Sequence, residues 1–107
     1  MTSFDTREKA FEDKYAHDEE MLFKARARRN KLFGLYIAEL LGLSGDAAEN
    51  YAQDVIEADL KEAGDEDIYE KIMPDLEKAG SDISRHRLEK KLEECMGAAK
   101  TALIENG

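Results

Sequence analysis

Residues 28–45, Arg-Arg-Asn-Lys-Leu-Phe-Gly-Leu-Tyr-Ile-Ala-Glu-Leu-Leu-Gly-Leu-Ser-Gly, contain the end of one helix and the start of another. Up to Leu41 nothing breaks a helix except Gly34, which a helix tolerates at a cost. Gly42-Leu43-Ser44-Gly45 then reads as stop and restart, with Gly42 ending the first helix and Ser44 capping the next. Two helices joined so tightly must fold back on one another, so the chain is expected to be an antiparallel helical protein.

The same periodicity extends in both directions. Toward the N-terminus, Asp5-Thr6-Arg7-Glu8 has the spacing of a capping box, in which Asp5 takes a backbone N–H and Glu8 reaches back. At about 100° per residue, Phe4, Phe11, Tyr15, Leu22, Leu32, Phe33, Tyr36 and Leu40 fall on one face. An interruption at His17-Asp18-Glu19-Glu20 divides this span, because acids favour a helix N-terminus. Toward the C-terminus, a third helix over about 45–62 carries Ala48, Tyr51, Ala52, Val55 and Ile56. Ala63-Gly64-Asp65 breaks it. A fourth over about 65–78 carries Ile68, Ile72 and Leu76, and Pro74 predicts a kink or an early end there. After Gly80-Ser81-Asp82, a fifth over about 84–104 carries Leu88, Leu92, Cys95, Met96, Ala99 and Leu103.

The expected architecture is all-α. Residues 19–107 form an antiparallel four-helix bundle of helices over about 19–41, 45–62, 65–78 and 84–104. Residues 1–18 form an additional, mobile N-terminal helical segment. That segment is short enough to be marginal as an isolated helix in water, and its apolar stripe is three aromatics interrupted by Arg7 and Lys14. It therefore folds back on the bundle or enters a groove on another molecule.

Composition restricts the function classes. At 107 residues the chain is one domain, and 38% charged against 42% hydrophobic residues is too apolar for outright disorder. A formal charge of −9 repels nucleic acid and anionic membrane surfaces. No apolar run approaches the roughly 18 residues that span a bilayer, so direct membrane insertion is not expected. The N-terminus lacks the basic-then-apolar layout of a secretory signal, and the lone Cys95 allows no internal disulfide, which points to the cytoplasm.

Catalytic patterns fail one by one. Cys95 and His86 lie nine residues apart in one helix, about half a turn out of phase, so they cannot pair as nucleophile and base. Two His and one Cys cannot close a structural zinc tetrad, and His17 and His86 read as surface residues. Asp65-Glu66-Asp67 starts like a calcium loop, but the sixth position is Glu70 instead of Gly. Gly42-x-x-Gly45 runs into Asp46, not the Lys-Ser/Thr of a phosphate loop. A non-enzymatic protein that binds another protein is the expectation.

One basic cluster stands out: Lys24, Arg26, Arg28, Arg29 and Lys31. Lys24, Arg28 and Lys31 share the face opposite the stripe and read as solvated. The alternative is a docking patch for an acidic partner or for a nucleotide phosphate, held by Arg26, Arg28, Arg29 and Lys31. Arg29 points into the apolar stripe between Ala25 and Leu32, where a charge must be paired. An acid on the later helices is the expected mate, with a phosphate or a partner carboxylate as the alternative.

Phe4-Asp5-x-Arg7-Glu8-x-Ala10-Phe11-Glu12-x-Lys14-Tyr15-Ala16-His17-Asp18-Glu19-Glu20 is followed by Arg28-Arg29-Asn30-Lys31-Leu32-x-Gly34-Leu35-Tyr36-x-Ala38-Glu39-Leu40-Leu41-Gly42. With Ala63-Gly64-Asp65-Glu66-Asp67 and Asp82-Ile83-Ser84-x-His86-Arg87-Leu88, these blocks closely resemble the zeta subunit of α-proteobacterial F1FO ATP synthases, over essentially the whole chain. Pro74 departs from the smooth helical pattern expected of that family. The resemblance implies a four-helix bundle whose N-terminal segment inhibits ATP hydrolysis by the F1 catalytic head. It also implies a location at the cytoplasmic membrane face through ATP synthase, and a monomer when free.

Chemistry and resemblance converge on residues 1–18. Phe4, Phe11 and Tyr15 are the expected apolar anchors in a cleft between subunits of the F1-ATPase head, and Arg7, Glu8, Glu12 and Lys14 set register through charge. The same rings can instead pack on the bundle, and the two placements can alternate. No cofactor is required by this reading. Two alternatives stand beside it: a module that senses ADP or ATP through the basic cluster, and a helical adaptor of another complex.

Overall fold

A computed structural model describes the backbone of residues 3–60 and 64–106 and the side chains of 6–60 and 64–105. Five helices follow one another: α1 Ser3–Tyr15, α2 Glu19–Leu40, α3 Gly45–Asp59, α4 Glu66–Lys78 and α5 Arg85–Asn106. The described residues contain no strand. No helix among them is long and apolar enough to cross a membrane.

Local chemistry accounts for most of the boundaries. Asp18 caps α2, its Oδ1 accepting from the Met21 N–H at 3.1 Å. At the other end Gly42 adopts φ +79°, which lets its N–H reach the Glu39 carbonyl and that of Leu43 reach the Ala38 carbonyl. Ser44 occupies the cap position of α3 without a side-chain cap bond. α1 begins at Ser3, ahead of the expected cap position, and the Asp5 side chain of the expected capping box lies outside the described residues. α3 ends at Asp59, earlier than periodicity suggested, and α5 runs two residues further, to Asn106. α4 continues through Pro74 to Lys78, so the early end does not occur. Pro74 and Glu70 both face solvent, where water serves the carbonyl that the proline cannot.

α2 is the central element, packed along α3 and α5 and touching α4. The shared core joins Phe33, Ile37, Tyr51, Val55, Ile68, Ile72, Leu76, Leu88 and Leu92, all from α2 to α5. The buried arc of α2 differs from the expected stripe. It runs through Ala25, Arg29, Asn30, Phe33, Gly34, Ile37 and Ala38, whereas Leu22 and Leu40 are each 37% exposed. Helices cover α2 on two sides, so small and polar residues enter the arc and apolar residues at its ends reach past the core.

Gly34 is required, not merely tolerated. A Cβ on it would lie 2.6 Å from the Ala52 Cα, so α2 and α3 approach this closely only because Gly34 has no side chain. Gly34→Ala gains about 1 kcal/mol of helix propensity but forces two backbones apart, and overpacking of this kind costs typically 1–3 kcal/mol. A net loss of up to roughly 2 kcal/mol is expected, read as a fall in melting temperature of up to about 16 °C.

Candidate partner-binding site

α1 lies along α5 and only touches α2. Two ion pairs fix its register: Arg7 with Glu105, and Glu12 with Lys100 at 2.8 Å. Advancing five residues along α1 retreats five along α5, so the helices are antiparallel. Between these pairs Phe11 is 0% exposed, and its ring stands 5.1 Å from that of Tyr15, tilted by 55°. Tyr15 is half-buried, and the Lys14 ammonium lies 5.3 Å from its ring centroid. Glu8 is half-buried, whereas Arg7, Glu12 and Lys14 are exposed. The Phe4 side chain lies outside the described residues.

The structure thus brings Arg7, Phe11, Glu12 and Tyr15 onto one surface, and that surface meets α5. Lys100 and Glu105 were missed by the sequence reading. They sit 88 and 98 residues from their mates, and nothing in a local pattern marks one exposed charge on α5 over another.

The basic cluster divides into two groups. Arg26 grips Asp59 with both arms of its guanidinium, at 2.5 and 2.8 Å, and also donates to the Gly64 carbonyl at 3.0 Å and to Asp65 at 3.2 Å. Arg29, 5% exposed, donates to Asp65 at 3.0 Å and to Asn30 Oδ1 at 3.0 Å, and its guanidinium lies 3.6 Å from Asp59. Asn30 in turn donates to Asp59 at 2.7 Å. The buried charge anticipated at Arg29 therefore finds its mates at the end of α3 and the start of α4. Burial alone would push the Asp59 carboxyl up, but bonds from Arg26 and Asn30 and the charges of both arginines hold it below the usual carboxylate range. Arg28 and Lys31 stand apart on the exposed side, Lys31 3.8 Å from Glu49.

Cys95 is buried in the core, where desolvation pushes its thiol up, and His17 and His86 are exposed. Neither arrangement makes an activated nucleophile.

A family model described as ATPase inhibitor subunit zeta matches residues 1–102. No curated protein matches the chain. Among solved structures, one titled "Solution NMR structure of the protein" is 45% identical, with a TM-score of 0.72. The match covers 81% of this chain and 99% of that one.

Proposed function

The chain belongs to the family of ATPase inhibitor zeta subunits, and from that premise we propose that it slows ATP hydrolysis by the F1 head of an ATP synthase by seating α1 at a catalytic subunit interface. One observation supports this above the others. Among the described residues the shared core is drawn from α2 to α5, so α1 is an accessory helix whose Phe11 and Tyr15 lie outside that core. A short amphipathic helix of this kind gains order and burial when a groove receives its apolar face.

Phe4, Phe11 and Tyr15 are the anchors, and Arg7, Glu8, Glu12 and Lys14 fix register by charge. A wedge between two subunits that must close around nucleotide stops the closure, and hydrolysis stalls without any chemistry on the inhibitor. The protein acts by binding, at the cytoplasmic membrane face through its partner. With a net charge of −9 it gains nothing from anionic lipid directly. Nucleotide sensing by Arg26, Arg28, Arg29 and Lys31 asks more, since phosphates would have to displace Asp59 and Asp65 from Arg26 and Arg29.

Phe11→Ala tests the proposal in a titration of ATP hydrolysis by purified F1. Loss of a central aromatic anchor costs upward of about 2 kcal/mol, or roughly a thirty-fold rise in half-inhibitory concentration. The substitution also loosens α1 from α5, and release alone would strengthen inhibition. A weakening therefore isolates the anchoring role, and inhibition strengthened to the full extent that release of α1 alone gives rules Phe11 out as an anchor.

A further inference from the structure

We propose that α5 is an intramolecular clasp that competes with the ATPase for α1, so that inhibitory strength is set by how often α1 leaves α5. The proposal rests on the reading of α1 as the inhibitory element and adds how that element is restrained.

Arg7, Phe11 and Glu12, which the partner reading uses, are already engaged, with Phe11 fully buried and both charges paired to α5. One ring cannot be buried in two places, so the clasped and inhibitory states exclude each other.

The clasp is built to open. α1 has 13 residues, a length at which a helix leans on its neighbour, and its chief neighbour is α5. The Arg7–Glu105 pair is half-exposed on both sides, where solvent leaves it little strength, and in the other pair Glu12 is half-exposed while Lys100 is 13% exposed. The connection through Ala16, His17 and Asp18 is exposed.

Opening uncovers the surface under Phe11 but leaves the packing among α2 to α5 in place. Asp18 caps α2 through the Met21 N–H, so α2 keeps its first turn when α1 departs. Among the described residues, the shared core contains none from α1. Under these conditions the apparent affinity for the ATPase is the intrinsic affinity reduced by the fraction of molecules whose α1 is free.

The test reverses the clasp from the α5 side only. In the full chain, Lys100→Glu with Glu105→Lys turns both attractions into repulsions and leaves α1 as it is. Amide exchange over residues 7–15 is expected to accelerate, and the half-inhibitory concentration to fall about three- to ten-fold. Faster exchange with unchanged or weaker inhibition overturns the competition, and unchanged exchange overturns the role of the two pairs.

A converse experiment keeps the proposal open to failure if the reversal disturbs folding. Cysteines replacing Glu12 and Lys100 are bridged by a bis-methanethiosulfonate reagent, which forms a mixed disulfide with each thiol, releases sulfinate, and is cleaved by a reductant. Inhibition should vanish on bridging and return on cleavage, relative to the same protein unbridged. A bridged form that still inhibits overturns the clasp. If removing residues 1–18 abolishes inhibition while reversal and bridging do nothing, the clasp is wrong and α1 remains the inhibitor. If removal changes nothing, both readings fall.

Discussion

A protein lacking residues 1–18 is expected to lose inhibition of ATP hydrolysis entirely while its remaining helices keep their fold. Phe33, Ile37, Val55, Ile68, Ile72, Leu76, Leu88 and Leu92 hold α2 to α5 together without help from α1. The Asp18 cap goes with the deletion, at a cost near 1 kcal/mol. Uncovering the α5 surface under Phe11 costs about another 2–3 kcal/mol, the usual worth of burying a large apolar side chain. Both losses are tolerable within the roughly 5–15 kcal/mol typical of a domain. Far-ultraviolet circular dichroism and a melting curve check the fold, and steady-state hydrolysis by purified F1 checks the function. A truncated protein that inhibits like the full chain removes α1 from the mechanism. One that unfolds shows that residues 19–107 are not an independent unit.

The second large effect belongs to Asp59. Its carboxylate accepts from Arg26 and Asn30 and faces Arg29 while only 6% exposed, so it closes a network joining α2, the end of α3 and the start of α4. Asp59→Ala leaves the Asn30 amide without its acceptor and takes from Arg26 and Arg29 one of their two carboxylates, Asp65 remaining. Breaking a fully buried pair from one side costs about 3–5 kcal/mol, and because Asp65 stays and Arg26 is 37% exposed the expected loss is smaller, about 2–3 kcal/mol. Urea unfolding at neutral pH measures the loss.

The same group gives a signature in acid. Its folded-state pKa lies below the unfolded value, so the folded protein binds its proton less readily. The stabilisation is fully present above the unfolded pKa, near 4, and is lost as pH falls through the lower folded value. Wild-type stability is therefore expected to fall steeply below about pH 4. In the Asp59→Ala protein that slope should flatten. Asp75, held low by the Tyr51 hydroxyl and Lys71 against its own burial, contributes a parallel decline that the substitution leaves in place. An unchanged acid limb in the variant would remove Asp59 as its main source.

Much of this molecule is written locally. Five helices, their breaks at Asp18, Gly42 and Gly80, and the need to pair a charge at Arg29 follow from interactions between residues a few positions apart. Capping, positive φ and helical period act over one or two turns, so a linear pattern contains them. The amphipathic character of α1, and with it the candidate anchors, is equally local.

What meets what is not local. Asp59 and Asp65 are 30 and 36 residues from Arg29, in a chain with 25 carboxylates, and only the packing of α2 against its neighbours selects them. Gly34 reads as a weakness until Ala52 is found 2.6 Å from its absent Cβ. The same holds for the surface that receives Phe11, since α5 shows α1 no mark beyond ordinary charges at Lys100 and Glu105. Periodicity states that a helix has an apolar face. Which other helix covers that face depends on the summed shape and charge of all the elements at once, and the tertiary structure alone settles it.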